Sequence, residues 1–391
     1  MKILLIHNKY GQFSGEEAVV AAQIKLLQEN GHQVLTYFRS SEELETMSNA
    51  KLKAFFSAFY NPTSNKDIKK ILDQEQPDLV HIHNLYPLIS PAILPVIKKM
   101  GIPIVMTVHN YRLLCPNGLF FNQGEICEKC TGASKELNCI TNNCESSLFK
   151  STGYALRNLW ARTQKQYLEN VTVFLCLTAF QKNKLATNGF PIHKLEVLPN
   201  FYNKAIKQLN VELVTRNYVA FAGRISPEKG IPDLLKAAKN LPHITFKLAG
   251  GVREGYLEEL DIPENVTLLG MLAKDELNVF YKNARIYLHT SVCYEGFPMV
   301  FPEAMAHQLP IIAPNMAGYP EVVEENKNGL LFKSGDIASL TNAIQKLWDD
   351  PKRCENFGKN GFEKVKKQYS VTAYYQKLIS IYQTVTKTGT N

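Results

Sequence analysis

The chain has 391 residues, a net charge of +8, and 45% hydrophobic against 20% charged residues. This length suits two domains, and the composition is that of a soluble globular protein. The positive charge is mild and spread along the chain, which argues against a nucleic-acid-binding stripe and excludes nucleic acid from the expected partners. The apolar run after Met1 is too short for a signal peptide, and no run is long enough to span a bilayer. We therefore expect a cytoplasmic protein whose eight cysteines are reduced.

The first half of the chain alternates between strand and helix patterns. Short apolar runs predict buried strands of a parallel sheet, and an apolar face at helical spacing predicts a helix between the first two. The predicted strands are residues 2–6, 33–38, 79–83 and 104–108, and the helix is 16–29. Alternation with short connections is typical of a doubly wound parallel sheet.

The same pattern begins again in the second half, with a junction near residues 198–200 or in the polar stretch after them. Strands are predicted at residues 218–222, 245–249, 284–288 and 310–313, and a helix at 231–239. A last helix, 371–386, is expected to cross back to the first half. The predicted domains are residues 1–203, with a cysteine-rich insertion at about 111–150, then 204–370, and the helical segment 371–391.

The segment from Gly223 to Gly230 follows a predicted strand and precedes a predicted helix. Open α/β sheets bind ligands at this position, beyond the carboxyl ends of their strands. Gly223 allows the backbone to approach a ligand closely, while Arg224 offers a planar fork of donors and Lys229 a compact positive charge. This pair suits a diphosphate. A solvated strand–helix loop without a ligand explains the segment, taken alone, equally well.

Glu295 and Glu303 flank a predicted helix start. A separation of about two helical turns would place one carboxylate at a sugar and the other at a ribose. The backbone N–H groups of Met299 and Val300 fall in the first turn, where unpaired donors and the helix dipole favour phosphate. The spacing alone is explained more simply by an acidic residue that stabilises its own helix, with a surface glutamate beyond it.

Two loops at strand ends carry further candidates. His109 directly follows the predicted strand 104–108, which points it toward the ligand-binding edge of the sheet. Gly15 ends the loop between the first strand and the first helix, where it would let backbone amides reach a phosphate. Each also fits an ordinary loop: a satisfied histidine in one case, and a strand–helix turn in the other.

Five cysteines lie between residues 115 and 144, in a polar segment that contains a C-x-x-C pair. Four thiolates at such spacing are typical of a structural zinc site, which leaves no open position for catalysis. Isolated reduced thiols or a redox pair are the alternatives. The predicted ligands are Cys115, Cys127, Cys130 and Cys144, with Cys139 as the alternate.

Residues 51–60 combine two lysines with a cluster of aromatic side chains. This composition fits a helix that touches a membrane surface, and it also fits an amphipathic helix that packs its aromatic side chains on its own sheet. We favour the second interpretation, and keep peripheral membrane contact as the alternative.

Taken in order along nearly the whole chain, these motifs resemble the retaining glycosyltransferases of family 4, which have the GT-B fold. No single motif is specific, but the ordered set is. It comprises the loop at Gly15, Gly31-His32, Pro77-Asp78 with His81, His83 and Asn84, His109-Asn110, Gly223-Arg224, Lys229-Gly230, Glu295 with Glu303, Pro320-Glu321 and Asn328-Gly329. The cysteine-rich insertion resembles that of members acting on bacterial surface polysaccharides. The resemblance implies two Rossmann-like doubly wound parallel-sheet domains that face a central cleft.

The resemblance also implies roles for the candidate residues. Arg224 and Lys229 would hold the donor diphosphate and stabilise its charge as the glycosyl bond breaks. Glu295 would bind hydroxyls of the donor sugar, Glu303 would bind the ribose, and His109 would contact the donor sugar from the opposite wall. Further donor contacts would come from Gly15, Gly223, Phe297, Pro298, Met299 and Val300.

The donor implied is a UDP or GDP sugar, the acceptor is a glycan or a polyprenyl-diphosphate-linked glycan, and no catalytic metal is needed. Three positions depart from the common family pattern: Ser14-Gly15 has one glycine, Pro298 replaces a frequent glycine, and Ala249-Gly250-Gly251-Val252 lacks the usual glycine–proline ending. The last departure leaves the identity of the nucleotide open.

We therefore expect a hexosyltransferase of capsular, O-antigen or exopolysaccharide synthesis, in the cytoplasm or at the inner face of the plasma membrane. Two alternatives have different consequences. A nucleotide-sugar epimerase on the same fold would release an isomerised product without an acceptor. A non-catalytic module would dock partners through its zinc loop and cleft.

Overall fold

The computed structural model describes residues 1–11, 14–45, 50–132, 134–204 and 216–388. The chain divides into two compact units. The first unit comprises residues 1–120, 128–200 and 371–391, and the second unit comprises residues 121–127 and 201–370. The polar stretch that offers the alternative domain junction, residues 205–215, lies outside the described residues.

Six parallel strands form the sheet of the first unit: β1 (Lys2–Lys9), β2 (Gln33–Ser40), β3 (Leu79–Asn84), β4 (Ile104–Val108), β7 (Val173–Cys176) and β8 (Leu195–Val197). A short antiparallel hairpin, β5 (Phe121–Asn122) and β6 (Glu125–Ile126), follows β4 in the chain. The sheet order is β2-β1-β3-β4-β7-β8, so the order reverses between β1 and β3. Open α/β sheets bind ligands in the crevice outside the carboxyl ends of the strands at such a reversal.

The second unit repeats this plan. Its strands are β9 (Val219–Ala222), β10 (Phe246–Ala249), β11 (Val266–Gly270), β12 (Ile286–Leu288), β13 (Ile311–Pro314) and β14 (Gly329–Phe332). The order is β11-β10-β9-β12-β13-β14, and it reverses between β9 and β12. The pairs in both six-stranded sheets are parallel, as the doubly wound pattern predicts.

Helices connect the strands. In chain order they are α1 (Gly15–Glu29), α2 (Ala50–Ser57), α3 (Pro62–Glu75), α4 (Ile93–Lys99), α5 (Asn138–Thr141), α6 (Leu148–Thr163), α7 (Gln166–Asn170), α8 (Ala179–Ala186), α9 (Ile231–Lys239), α10 (Lys274–Asn283), α11 (Val300–Ala306), α12 (Tyr319–Val322), α13 (Ile337–Trp348), α14 (Pro351–Gln368) and α15 (Val371–Thr388). None of the described helices is both long and apolar enough to cross a membrane.

The strand β1 shows where the sequence prediction stops short. Its apolar residues Ile3 to Ile6 are fully buried, as predicted for a central parallel strand. The polar residues His7 and Asn8 indicated the end of the strand, yet pairing with β2 continues to Lys9. Backbone hydrogen bonds to a neighbouring strand do not depend on side-chain polarity, so the strand carries two buried polar side chains to its carboxyl end.

The last helix, α15, belongs to the first unit and packs there through polar contacts. The hydroxyl of Tyr374 donates to the side-chain oxygen of Gln23 at 2.7 Å. The hydroxyl of Tyr382 makes a short hydrogen bond to Nδ1 of His81, and the amide of Gln23 donates to the same nitrogen at 2.8 Å. These side chains are fully or nearly fully buried, so the helix is tied into the interior beside β3.

The second unit has an apolar core between its sheet and the helices α9 and α13. The helix α9 begins directly after Gly230, whose φ of 66° is in the left-handed region that glycine adopts readily. Its buried side chains include Leu234 and Leu235, and those of α13 include Leu340 and Ile344. This core holds the carboxyl ends of β9 and β12 in place.

Candidate active site

Charged side chains of the second unit meet beyond β9 and β12, at the reversal of strand order. Lys229 ends a 3₁₀ turn after β9, and Glu295 lies in the loop after β12. Lys229 Nζ lies 2.9 Å from Glu295 Oε1. Gly230 makes this approach possible, because a Cβ atom there would lie 1.9 Å from the carbonyl oxygen of Thr290. The two loops therefore pack backbone against backbone.

Two further side chains contact the same carboxylate oxygen. His289 Nε2 lies 3.1 Å from Glu295 Oε1, and the hydroxyl of Ser291 donates a short hydrogen bond to it. Burial by itself would raise the pKa of Glu295. The Lys229 charge, His289 and the Ser291 hydroxyl outweigh that effect and hold the pKa well below its usual value. The carboxylate is thus ionised and held rigidly at neutral pH.

Arg224 lies in the same loop as Lys229 but has a different environment. Its side chain is 64% exposed, and its Nη2 atom lies 3.3 Å from Glu228 Oε1. Gly223, just before it, has a φ of 153°, and a Cβ atom on Gly250 would lie 1.8 Å from the Gly223 carbonyl oxygen. The ends of β9 and β10 therefore come closer together than any residue other than glycine at 250 would allow.

Glu303 is separated from Glu295 in secondary structure. As predicted, Glu295 stands before the start of α11, which is Val300. Because Glu295 lies in the preceding loop, the predicted separation of two turns along one side of the helix is wrong. Glu303 lies within α11, where its Oε2 accepts a hydrogen bond of 3.1 Å from the hydroxyl of Tyr281. Burial raises the pKa of Glu303. The result is an oriented carboxylate with a hydroxyl partner.

The residues between the two glutamates have mixed surroundings. Phe297 is buried and packs edge to face on Tyr369, with ring centroids 5.3 Å apart. Pro298 is buried, Met299 occupies the N-cap position of α11 without a side-chain capping hydrogen bond, and Val300 is the first residue of that helix. The Phe297 side chain thus serves packing, and what this segment can offer a ligand is its backbone.

His109 follows β4 in the first unit, beside His83 at the end of β3. His109 Nε2 and His83 Nδ1 share a hydrogen bond of 2.8 Å, and the rings are stacked with centroids 5.1 Å apart. Burial lowers the pKa of His109 to about 3 and that of His83 well below the ordinary value. Both imidazoles are therefore neutral at pH 7.

Gly15 is the first residue of α1 and is exposed. The hydroxyl of Ser14 caps this helix by accepting a hydrogen bond of 3.2 Å from the backbone N–H of Glu17. Residues 12 and 13 of the same loop lie outside the described residues. The glycine therefore stands at a capped helix start, with no bulky side chain at this point.

The predicted zinc ligands are only partly brought together. Cys130, Cys139 and Cys144 belong to one apolar cluster with Ala155, so Cys139, the alternate, stands with two of the chosen ligands. Burial, together with the nearby Cys144 thiol, raises the pKa of Cys115 to about 11. No disulfide joins any of the eight cysteines, all of which lie in the described part of the chain, and no three histidine, cysteine or acidic side chains there are placed to hold a metal ion. Zinc binding stays a prediction.

The aromatic segment forms most of α2 and the residues directly after it, and its side chains divide between two environments. Phe55 packs on Phe149 of α6 with tilted rings whose centroids are 5.8 Å apart, and Phe59 packs on Trp160 of the same helix. Phe56 and Tyr60 are 65% and 58% exposed. The side chain of Lys51 lies outside the described residues. Phe55 and Phe59 thus pack internally, but on α6 rather than on the sheet that the preferred interpretation named, and Phe56 and Tyr60 are exposed to solvent.

The site predicted from the sequence omits several polar side chains that lie near the carboxyl edges of the two six-stranded sheets. In the second unit they are His289 and Ser291. In the first unit they are His7, Glu16 and their neighbours Tyr10 and Arg112: the Tyr10 hydroxyl donates to Glu16 at 2.9 Å and accepts from Arg112 at 3.1 Å. The signal available in the sequence was position, because His289 directly follows the predicted strand 284–288 and His7 directly follows the predicted strand 2–6. Nothing in the sequence shows which strand ends are neighbours.

Comparison with known proteins decides the class. Residues 13–205 match the profile of Glycosyltransferase Family 4, and residues 203–364 match that of Glycosyl transferases group 1. The chain is a two-domain glycosyltransferase built from these families. An uncharacterized glycosyltransferase of Methanocaldococcus jannaschii is 26% identical to this transferase over 377 residues, which cover 94% of each chain. These matches set aside the non-catalytic docking module.

Two further comparisons bear on the transferase. The capsular polysaccharide biosynthesis glycosyltransferase CapM of Staphylococcus aureus is 25% identical over 211 residues, 52% of this chain and 54% of that one. The crystal structure of Anabaena HepE in complex with UDP superimposes with a TM-score of 0.67, at 17% identity, over 98% of this chain and 100% of that chain. The latter likeness confirms the GT-B fold.

Proposed function

We propose that this transferase moves a hexose, with retention of anomeric configuration, from a UDP or GDP sugar to a glycan or polyprenyl-linked glycan acceptor. The observation that carries the proposal is the cluster of Lys229, His289 and Ser291 around Glu295 at the strand-order reversal of the second unit. It offers a fixed carboxylate for sugar hydroxyls next to a cation for a diphosphate. The similarity to a UDP-binding protein supports a nucleotide-sugar donor.

In this proposal different residues of the second unit bind the diphosphate, the sugar and the ribose of the donor. Lys229 and the exposed Arg224 stabilise the diphosphate as negative charge develops on the leaving group. Glu295 accepts hydrogen bonds from sugar hydroxyls, and Glu303 accepts them from the ribose. The backbone of Gly223 and of residues 297–300 lines the donor, and Gly15 and His109 of the first unit complete the proposed set.

Retention without a covalent sugar intermediate is the proposed chemistry. The acceptor hydroxyl attacks the face that the leaving diphosphate vacates, the bond from sugar carbon to phosphate oxygen breaks, and the phosphate oxygen takes the acceptor proton. Glu295 is occupied by three partners, which suits a binding carboxylate rather than a nucleophile. A sugar trapped covalently on Glu295 would contradict this step.

A thermal-shift screen against UDP, GDP, ADP, CMP and dTDP tests the donor site. Ligand at one hundred times its dissociation constant stabilises the folded chain by about 2.7 kcal/mol. We expect one diphosphate to raise the melting temperature of the wild type and of Glu258→Ala, an exposed control, but not of Glu303→Ala. Stabilisation of all three by the same nucleotide would remove the ribose role, and stabilisation of none would contradict the donor class.

Product analysis then separates transfer from epimerisation. The nucleotide sugar identified in the screen is incubated with and without cell-surface glycan primers, and the anomeric configuration of any product is measured by NMR. Release of nucleoside diphosphate that depends on the primer supports transfer. An isomerised nucleotide sugar that forms without primer favours the epimerase instead.

Surface-polysaccharide assembly is the pathway we propose, supported by the similarity to CapM. Exposed Phe56 on α2 and exposed Tyr60 just after it are consistent with peripheral contact at the inner face of the membrane. Flotation with anionic vesicles tests this contact, and a Phe56→Ser variant that floats as well as the wild type would contradict it.

A structural zinc ion in the cysteine-rich segment is a separate proposal, supported by the clustered thiols of Cys130, Cys139 and Cys144. Binding would require their sulfur atoms to move into coordinating positions. Elemental analysis of the purified protein should find zinc in the wild type and in Cys176→Ser, a control in β7, and less in Cys139→Ser. Zinc-free wild type would contradict the proposal.

A further inference from the structure

A row of three histidine rings leads from the middle of β3 to the loop after β4 in the first unit. His81 and His83 are two residues apart in β3, so they share a face of the strand, and their rings stack with centroids 4.5 Å apart. The ring of His109 stacks on that of His83, with centroids 5.1 Å apart. His81 and His83 are buried, whereas His109 is only partly buried. The row therefore leads from the interior to a partly accessible ring in the loop after β4.

The inner end of the row is held by hydrogen bonds. His81 Nε2 lies 2.8 Å from the hydroxyl of Thr107, and its Nδ1 is bonded by Gln23 and by Tyr382 of α15. These partners come from β4, α1 and the last helix. His81 cannot rotate without breaking bonds to three elements, and the stacked ring of His83 is fixed against it.

The hydrogen bond between His83 and His109 determines which atoms carry protons. A neutral imidazole has one N–H donor and one acceptor. His83 Nε2 is buried and has no partner among the described residues. An unpaired buried N–H is costlier than an unpaired acceptor, so the proton of His83 is on Nδ1. His83 Nδ1–H then donates to His109 Nε2, and His109 carries its own proton on Nδ1.

We infer that His83 is a positioning residue that fixes the ring and the tautomer of His109, so that Nδ1–H of His109 is the donor offered to a substrate oxygen. The inference rests on the proposed function, since it gives His109 a substrate to contact. It also gives α15 a role in the site, because Tyr382 anchors the row at His81. The depressed pKa values of the rings agree with it, since a charged ring would donate from both nitrogens.

A double-mutant cycle tests the coupling. The readout is release of nucleoside diphosphate from the nucleotide sugar identified by the thermal-shift screen. A misplaced ring costs about ten- to a hundredfold in turnover, and we expect that loss in His83→Leu. His83→Asn retains a donor near the Nδ1 position and should recover part of the loss. In the His109→Ala background, His83→Leu should have less than a twofold further effect.

The spectroscopic arm reads the tautomer directly. Long-range ¹H–¹⁵N spectra of histidine-labelled protein should show His109 protonated on Nδ1 in the wild type and in His193→Leu, an exposed control in the same unit. His83→Leu should give a mixture of tautomers with no large change in melting temperature. This measurement needs no donor and no activity.

The outcomes separate this inference from the proposed function. If His109 is protonated on Nε2 in the wild type, or if the losses from His83→Leu and His109→Ala multiply in the double variant, the positioning role is overturned. If no nucleotide stabilises the protein, the donor proposal fails. The NMR spectra still decide the tautomer of His109, because they need no donor. If His83→Leu does not fold, His83→Asn and the wild-type spectrum decide.

Discussion

The two units share a strand plan but carry opposite chemistry at their carboxyl edges. In the second unit a lysine, a histidine and a serine converge on one ionised carboxylate, Glu295. In the first unit, histidines at and behind the edge are neutral at pH 7, because burial lowers their pKa values far below the ordinary value. In our proposal the first of these edges binds a charged phosphate and its sugar, whereas the histidines of the other offer neutral hydrogen-bonding groups beside Arg112. The same topology thus supports two kinds of site, and the strand-end side chains decide which.

The largest expected difference between the units is their response to acid. Burial lowers the pKa of His7 to about 4 and those of His81 and His109 to about 3. Because the unfolded chain titrates near pH 6.5, it binds more protons than the folded chain below that pH. The stabilisation is complete above about pH 6.5 and is lost as the pH falls toward the folded values, by about 2 kcal/mol per histidine between pH 7 and 5.

Two tryptophans make this measurable. Trp160 lies in the first unit and Trp348 in the second, so Trp348→Phe and Trp160→Phe each leave a reporter for one unit. We expect the urea midpoint of the first unit to fall by more than that of the second between pH 7 and 5. His289 and His307 have lowered pKa values as well, so the second unit also weakens. A larger fall in the second unit would contradict the comparison.

Removal of the positive charge of Lys229, in the second unit, should have the next largest effect. Lys229→Met leaves Glu295 without its charged partner and the diphosphate without its donor, and loss of one such group typically slows turnover by about 10²–10³. The measurement is nucleoside diphosphate release at saturating donor. Lys236→Met, on the exposed face of α9, is the matched control and should stay within twofold of the wild type. Similar losses in both variants would mean that general charge, not this ion pair, matters.

The loop contact beneath that ion pair sets the third prediction. An alanine at 230 would adopt a left-handed φ of 66° and place its Cβ 1.9 Å from the Thr290 carbonyl oxygen. Gly230→Ala should therefore lower the free energy of unfolding of the second unit by about 3 kcal/mol, by strain and forced movement together. Gly255→Ala has a φ of 71° and open space, so it should cost only about 1 kcal/mol. If chemical denaturation shows the same loss in free energy of unfolding for both variants, the backbone at Gly230 and Thr290 moves apart at little cost, which would contradict the prediction.

The smallest expected effect concerns the anchor of the first unit. Tyr382→Phe removes the hydroxyl that bonds His81 and accepts from Gln23 at 3.2 Å. We expect a loss of about 1 kcal/mol in the free energy of unfolding, read from Trp160 fluorescence. The Trp348 signal should not move. A loss seen by both reporters would contradict the assignment of α15 to the first unit alone.

Much of the fold could be predicted from local patterns. The strand 104–108 and the helix 231–239 appear in the structure with the predicted bounds. An error arises where polar residues lie in regular structure. His7 and Asn8 remain in β1 because pairing with β2 continues. The start of α11 at Val300, by contrast, agrees with the prediction that Met299 and Val300 lie in the first turn.

The candidate site was only partly predictable. Lys229, Glu295 and Glu303 stand in recognisable motifs, but the sequence contains no sign that His289 and Ser291 contact Glu295, or that His83 bonds His109. The cysteines show the same limit, since spacing favoured Cys127 whereas packing places Cys139 with Cys130 and Cys144.

The sequence by itself determined the periodicities, the turn glycines and the family motifs, because these depend on residues close together in the chain. Which strand ends are neighbours depends on the order of strands in each sheet, a property of long-range packing. Only the tertiary structure brought the loops after β9 and β12 together and set the histidines of β3 and β4 side by side. The protonation states follow from that burial, since desolvation acts on a side chain only once the rest of the fold surrounds it.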